Sequence, residues 1–489
     1  MTPTRRFVTF AFLGATTPLV GPAISNASSS LTLKEALKLS RQNASEVGEL
    51  SATLNETYYQ SQTFDQAYDP ILYMEGSQTT DKTMSTNIAL GDERKVDQSK
   101  IGFKKFFSTG TSIDLQVSYS KQKILYPEDQ TTAAISAQQI EPYVETGTQV
   151  EFSQSLWNNF LAREVYLAKQ SSFTHHLGIK YDKEILMQSV QFQTESLYWR
   201  WLSINNQYTY AEKLADISKQ YVTLMKQRSQ LGRADEIDVA TAESQWINHQ
   251  GLKLDLKIAR DDIANQLQYF LGKSWQSIRL NGDLFQSQNT FRSLSSDKGL
   301  SNRLDLKKID VINSNLNYSI ELEEEKQKPT LDLFAVARTN GIGSQTDDSL
   351  EKTQENKYLS SSVGLRFSIN LGDYGSDNQK RAYLAKRQSM QLQKQTASRK
   401  AENEVSIAKY NHDAAKQLIA QAQRIKSSLD KQIEAEKKRL RQARSDKIAI
   451  LRYEMERQQA ELKYIQAHER SRLAEARLKW ALHAYERGL

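Results

Sequence analysis

The sequence predicts an α+β protein in which a few amphipathic β-strands are attached to very long α-helices. Three observations support this prediction: long stretches without proline, short segments in which apolar and polar residues alternate, and an internal repeat. The chain has 489 residues, a net charge of +7 and 38% hydrophobic residues. This composition is too polar for a bundle of transmembrane helices.

The positions of the seven prolines predict the long helices. They leave residues 143–328 and 330–489 free of proline. Because an interior proline costs a helix about 3 kcal/mol, such stretches permit unusually long helices. Apolar residues in them recur at seven-residue steps, the spacing of supercoiled helices; one such row is Val190, Leu197, Ile204 and Ala211. This feature alone would also fit an ordinary coiled coil.

The N-terminus predicts export. Residues 1–27 contain Arg5 and Arg6, an apolar stretch at 7–20, and small residues ending at Ala27. This arrangement is typical of a secretory signal peptide and is too short for a stable membrane span. Since the chain contains no cysteine, disulfides, thiolate metal sites, cysteine nucleophiles and an N-terminal lipid anchor on cysteine are excluded.

Alternating segments predict about four strands per chain. The clearest are Ser112–Ser120 and Ser362–Leu371, with less regular candidates around Val150 and Leu331. The sequence leaves open whether Pro70–Thr80 and Ile101–Phe107 add strands to the same sheet or form a hairpin outside it. Such alternation suits a transmembrane barrel strand, and it suits a half-buried soluble sheet equally well. Four strands cannot close a barrel, and lipid does not tolerate an open sheet edge. If the strands span a membrane, three chains would pool twelve strands, so the sequence predicts a trimer.

The chain also reads as two internal repeats, 28–285 and 286–489, each containing a helix, strands and a long helical hairpin. The hairpin tips are predicted near residues 232–238 and 443–449. An offset of 211 residues aligns Asp235 with Asp446, and both are expected to cap the helix that follows the tip.

Four segments carry a resemblance to a known family: LTLKEALKLSRQN (31–43), QSLWNNF (154–160), LGRADEIDVATAESQ (231–245) and FSINLGDYGS (367–376). In their order and spacing, these segments resemble the TolC-like outer-membrane efflux proteins, also called outer membrane factors. The resemblance implies a trimeric outer-membrane β-barrel that continues into a long α-helical coiled-coil barrel in the periplasm. Such a protein is the exit duct of a tripartite efflux or type I secretion system. Its implied partners are outer-membrane lipid, a periplasmic adaptor and an inner-membrane pump.

The resemblance also implies where partners dock and where the channel closes. The implied docking residues are Gly232, Arg233, Ala234, Asp235, Ala443, Arg444, Ser445 and Asp446. The implied entrance gate contains Asp238, Arg444 and Arg452, with a hypothetical link from Asp238 to Arg444. The family's acidic entrance rings match Ala449 and Arg452 here, so a ring of Arg452 side chains would favour anions.

Other classes of function have less support in the sequence. Residues 376–489 carry twelve more basic than acidic side chains, but export and the interspersed acids argue against nucleic acid as a partner. No set of catalytic residues, phosphate-binding loop or metal-ligand spacing is recognisable, so we expect neither an enzyme nor a cofactor. The alternative is a secreted trimeric coiled-coil adhesin or periplasmic spacer, which would not need amphipathic strands in both repeats.

Overall fold

A computed structural model describes residues 30–83, 93–125, 142–286, 300, 303–372 and 374–485. The predicted signal peptide, residues 1–27, lies outside the described residues. Within them the chain forms eight α-helices: α1 (Leu33–Asn43), α2 (Ser45–Gln62), α3 (Arg163–Gln230), α4 (Glu236–Leu271), α5 (Leu304–Lys326), α6 (Thr346–Gln354), α7 (Tyr374–Arg441) and α8 (Lys447–Ala481). No helix in the described part of the chain is long and apolar enough to cross a membrane.

The described strands form one antiparallel sheet in the order β1 to β6. They are β1 (Ile71–Asp81), β2 (Glu93–Phe106), β3 (Thr111–Leu125), β4 (Tyr143–Ser155), β5 (Thr330–Gly343) and β6 (Ser360–Ser368). The four predicted strand regions lie in β3, β4, β5 and β6. The last of these strands ends at Ser368 rather than at Leu371.

The expected count of about four strands per chain was wrong, because the described residues contain six. β1 and β2 form an additional hairpin in the first half of the chain, where alternation is short. Only Leu72 and Met74 on β1, and Ile101 and Phe103 on β2, supply large apolar residues on one face. The pairing of the two strands with each other and with β3 compensates for this weak local signal. The two halves therefore differ, with four strands before α3 and two before α7.

The sheet has two chemically different faces. In the register of the ladder, Leu72, Phe103, Leu115 and Val150 lie side by side on one face. This apolar face exposes large side chains: Leu72, Met74, Ile101, Phe103, Leu115, Val117, Val150, Phe152, Val363, Leu365 and Phe367. The opposite, polar face carries Glu75, Lys100, Asp114, Gln116, Gln149, Glu151, Arg338 and Arg366. Alternation along each strand produces both faces.

Two long helical hairpins account for most of the chain. α3 and α7 each contain 68 residues, and α4 and α8 contain 36 and 35. At about 1.5 Å per residue, the longer helices extend for about 100 Å. α4 packs against α3, whereas α8 packs against both α7 and α3. α8 therefore joins the two hairpins.

The junction between sheet and helices is held by a short, tightly turned segment. Asn159, Leu161 and Ala162 all have positive φ angles near 55°. The backbone N–H of Asn159 donates to Glu325 Oε1 at 3.0 Å, and Asn158 Nδ2 donates to the Glu325 carbonyl oxygen at 3.1 Å. These contacts bind the segment before α3 to the end of α5. The strand-to-helix junction of the first half therefore lies beside the helix-to-strand junction of the second half.

The main apolar core lies midway along the helices. Tyr198, Trp201 and Leu202 of α3 pack there with Leu267 and Leu271 of α4. A second core lies at the far end of the hairpins, beneath the two tips. It consists of Leu214, Tyr221, Val222, Met225, Ala242, Ile448, Leu451 and Met455. Since these residues come from α3, α4 and α8, the second core fixes one hairpin against the other.

Candidate docking tips and entrance gate

The two predicted tips have the same backbone geometry. At the first tip, Gly232 has a φ of +67° and the N–H of Arg233 donates to the Arg228 carbonyl oxygen at 2.8 Å. At the second, Ala443 has a φ of +53° and the N–H of Arg444 donates to the Arg439 carbonyl oxygen at 2.9 Å. Each residue pair is separated by 211 positions. Both tips therefore end the long helix with one left-handed residue, which glycine adopts more easily than alanine.

The capping aspartates begin the shorter helices as the sequence predicts. Asp446 Oδ1 accepts a hydrogen bond from the backbone N–H of Ala449 at 2.9 Å. Asp235 occupies the equivalent N-cap of α4, and Asp238 Oδ2 accepts from its backbone N–H at 3.3 Å. Side-chain oxygens at these positions satisfy N–H groups that have no partner within the helix.

The predicted docking residues divide into exposed and anchored ones. Gly232, Arg233, Asp235, Ala443 and Arg444 are exposed at the ends of the hairpins. Ala234, Ser445 and Asp446 are half-buried. The Ser445 hydroxyl donates to Glu436 of α7, so it braces the second tip from within.

An ion pair connects the two tips within one chain. Arg228 Nη2 at the end of α3 donates to Asp446 Oδ2 at the start of α8, at 2.9 Å. Both side chains remain partly exposed, so the pair contributes on the order of 0–1 kcal/mol by itself. The hypothetical link from Asp238 to Arg444 is not formed within the chain: these two described residues share no ion pair, and Asp238 instead caps α4.

Arg452 is held in place by a tyrosine of the other hairpin. Its Nη2 and Nε atoms donate to the hydroxyl oxygen of Tyr221 at 3.0 and 3.2 Å. This hydrogen bond raises the pKa of Arg452, and the charges of Asp446 and Asp238 act in the same direction. Tyr221 and both aspartates therefore favour the charged form of the guanidinium.

Sequence reasoning missed Arg228 and Tyr221. The 211-residue offset aligns Arg228 with Arg439, and the backbone carbonyl oxygens of both residues accept the hydrogen bonds that close the tips. This alignment was the one sequence signal that could have drawn attention to Arg228. Nothing local to Tyr221 distinguishes it from the other aromatic residues of α3. Its role depends on α8 lying beside α3.

Several solved membrane proteins share this architecture at low sequence identity. The outer membrane protein VceC from Vibrio cholerae is 11% identical, with a TM-score of 0.64 over 92% of this chain and 95% of VceC. The CmeC outer membrane channel of Campylobacter jejuni is 12% identical, with a TM-score of 0.65 over 93% of this chain and 86% of CmeC. A membrane protein from Pseudomonas aeruginosa is 12% identical, with a TM-score of 0.67 over 92% and 93%.

This chain has the fold of these TolC-like outer-membrane channels, and the resemblance predicted from the sequence is confirmed at the level of the fold. No protein-family model matches the sequence. No curated protein matches it either.

Proposed function

We propose that the protein is the outer-membrane exit channel of a tripartite efflux or type I secretion system. It would pass small molecules or proteins from the periplasm to the exterior without chemistry of its own. One observation carries the proposal: a two-faced antiparallel sheet is joined to paired 68-residue helices, in an arrangement that matches solved outer-membrane channels over nine-tenths of the chain.

The chemistry of the two ends supports an orientation. The apolar face of the sheet suits outer-membrane lipid, and its polar face suits a water-filled interior. Helices of about 100 Å, which carry charged side chains along their length, suit the aqueous periplasm. The predicted signal peptide at residues 1–27 would deliver the chain to that compartment, and the halves 28–285 and 286–489 would each contribute one hairpin.

The tips are the proposed contact with the rest of the machinery. Their exposed residues, Gly232, Arg233, Asp235, Ala443 and Arg444, would meet a periplasmic adaptor that is bound to an inner-membrane pump. In a homotrimer, three copies of Arg452 would surround the entrance and favour anions over cations. The bonds to Tyr221 and from Arg228 to Asp446 would keep the two hairpins together at this end.

A photo-crosslinking residue introduced at Arg233 or Arg444 tests the proposal in cells. We expect mass spectrometry to identify a periplasmic adaptor from these positions, together with its inner-membrane pump after affinity purification. The matched control places the same photo-crosslinking residue at position 81. Asp81 is exposed at the last position of β1, at the end of the strand farther from the helices, and should capture no adaptor.

The purified protein should also conduct ions across a planar lipid bilayer. Absence of conductance, with crosslinks from the tips only to cell-surface proteins, would contradict the proposal. That combination would favour the trimeric adhesin or spacer. The pump recovered with the adaptor would distinguish efflux from protein secretion.

A further inference from the structure

The two edges of the sheet are complementary to each other. Among the described residues, β1 and β6 each pair with one neighbouring strand, β2 and β5 respectively. Both carry large exposed apolar side chains, including Leu72, Met74, Leu365 and Phe367. Lipid cannot satisfy the backbone N–H and C=O groups of an open edge. In a membrane, each edge therefore needs another strand.

We propose that β1 of one copy pairs antiparallel with β6 of the next copy, in the register that places Glu75 opposite Arg366. This inference rests on the proposed function, which supplies the trimer. Three copies with six strands each would then close an eighteen-stranded barrel, rather than the twelve-stranded barrel expected from the sequence.

The direction and length of the two strands fit this pairing. Six strands that are all antiparallel to their neighbours run alternately up and down, so β6 runs opposite to the β1 of an adjoining copy. The proposed register places Asp81 opposite Ser360 and Ile71 opposite Asn370. The whole of β1 is then paired, and β6 needs only Ile369 and Asn370 to extend it to the same length.

The side chains brought together by this register are compatible on both faces. On the polar face, Glu75 would face Arg366, and opposite charges directly across a ladder stabilise it. On the apolar face, Met74 would face Phe367 and Leu72 would face Ile369. Among the residues that the structure describes, the one ion pair of Glu75 is a long contact with Lys100 at 4.0 Å, and 62% of the Glu75 side chain is exposed.

The geometry of closure also favours this register. Within one chain, the residues paired from strand to strand across the sheet connect Leu72 on β1 to Ser361 on β6. In the proposed register Ser361 faces Thr80 of the next copy, a shift of eight residues over six strands. With a rise of about 3.3 Å and a strand spacing of about 4.8 Å, the strands tilt by about 42°. Membrane barrels have tilts of about 35–45°.

Neighbouring registers fit less well. A register must shift by two residues to keep the apolar faces together. A shift in one direction lowers the tilt to about 34°, and a shift in the other raises it to about 49°. Neither shift keeps Glu75 opposite Arg366. The lower-tilt register places Ile71 opposite Ser368 and leaves Thr80 and Asp81 without a partner on β6.

The position of the apolar band gives an independent measure of the direction in which the strands tilt. On β1 the apolar side chains are centred between Leu72 and Met74, at the level of Tyr73. The paired residues of successive strands connect Tyr73 to Ser360 on β6. The apolar residues of β6 are instead centred on Leu365, about five residues nearer the helices. A shift of eight residues over six strands predicts a displacement of about seven residues over five strand steps. The direction agrees. The observed displacement of about five residues equals the one expected for the register with the tilt of about 34°, so the choice of register rests on the Glu75–Arg366 pair and on the complete pairing of β1.

The consequence is a wider exit. At this spacing and tilt, eighteen strands enclose a backbone diameter of about 37 Å, against about 25 Å for twelve strands. The interior would be lined by the polar face of three sheets. An exit of this width would accommodate larger cargo than a twelve-stranded barrel.

Disulfide trapping tests the register directly, because the natural chain contains no cysteine. Thr79 and Ser362 face each other in the proposed register, so Thr79→Cys/Ser362→Cys should form intermolecular disulfides. A matched control shares one cysteine and keeps both Glu75 and Arg366: Thr79→Cys/Ser368→Cys is six residues out of register, which separates the two positions by about 20 Å along the strands. After mild oxidation in membranes, a non-reducing denaturing gel should show covalent dimers and trimers for the first variant and only monomers for the second.

Each other result would overturn a defined part of the proposal. Trimers from the control variant, and not from Thr79→Cys/Ser362→Cys, would refute the register. A ladder that stops at dimers or extends to tetramers would refute the eighteen-strand count. Monomers with an internal disulfide would show that β1 and β6 of one chain pair with each other.

Two further measurements separate this proposal from the proposed function. Conductance without disulfide trapping at residues 79 and 362 would refute the strand pairing and leave the proposed channel function standing. Trapped trimers that conduct no ions would support the pairing and refute the channel function. If the cysteine variants do not assemble, charge reversal provides a second test. Glu75→Arg should lower the yield of trimers, and Glu75→Arg/Arg366→Glu should restore it. Equal yields from the single and double variants would refute the Glu75–Arg366 contact.

Discussion

The two tips form a natural pair for mutation, because one left-handed position holds glycine and the other holds alanine. Gly232 and Ala443 have φ angles of +67° and +53° in otherwise equivalent turns. A Cβ atom added at Gly232 would meet no atom within 4 Å. Gly232→Ala therefore changes only the backbone energetics. Ala443→Gly makes the opposite change at the second tip.

The expected change in the stability of each tip follows from two opposing contributions. A left-handed conformation costs alanine roughly 1–2 kcal/mol. Alanine also loses about 0.4–1 kcal/mol less conformational entropy on folding than glycine. The difference predicts that Gly232→Ala destabilises the first tip by about 0.5–1 kcal/mol. Ala443→Gly should stabilise the second tip by a similar amount.

Hydrogen exchange measures this effect locally. The amides of Arg233 and Arg444 donate the hydrogen bonds that close the two turns. We expect protection of Arg233 to fall about two- to fivefold in Gly232→Ala, and protection of Arg444 to rise by the same factor in Ala443→Gly. The unmodified tip is the internal control in each variant. Changes in the same direction at both tips would refute the assignment of strain to the left-handed residue.

Three further predictions concern the gate, the sheet and a buried histidine. Tyr221→Phe removes the acceptor of two Arg452 hydrogen bonds and should destabilise the hairpin contact by about 1 kcal/mol, measured by denaturant unfolding; an unchanged midpoint would contradict the contact. Gly341→Ala places a Cβ against a backbone oxygen of α6 and should lower the melting temperature, whereas Gly76→Ala, with open space around it, should not; equal melting temperatures would contradict the packing of α6. Burial lowers the pKa of His468 to about 4, so below about pH 6.5 the unfolded state binds a proton that the folded state does not, and stability should fall from pH 6.5 towards pH 4. His468→Phe should reduce this loss, measured as melting temperature against pH, and an unchanged profile would contradict it.

The sequence predicts the long helices and their tips well, because the responsible signals are local. Proline is absent from residues 143–328 and 330–489, and α3, α4, α7 and α8 lie in those stretches. Capping aspartates follow each tip, and the 211-residue offset between the tips is present in the backbone. Alternation predicts β3 and β6 because their apolar residues recur at every second position over most of each strand. It predicts β4 and β5 less regularly, from shorter runs such as Val150 and Phe152.

The β1–β2 hairpin shows where local signals are insufficient. After Met74, β1 continues as polar residues to Asp81, and β2 contains lysine at four of its fourteen positions. Neither pattern predicts a strand alone. The hairpin forms because β1 pairs with β2 along its whole length and β2 pairs with β3, so the backbone hydrogen bonds of the neighbours decide the conformation.

The sequence by itself determined where the long helices lie, where they turn back, and that the sheet segments have one apolar and one polar face; it did not predict the short helix α6 between β5 and β6. Only the tertiary structure decided the number of strands and the contacts at the entrance. Arg228 lies 218 positions from Asp446, and Tyr221 lies 231 positions from Arg452. Helix formation and capping depend on neighbouring residues, whereas these pairs exist because a shared apolar core places α8 against α3.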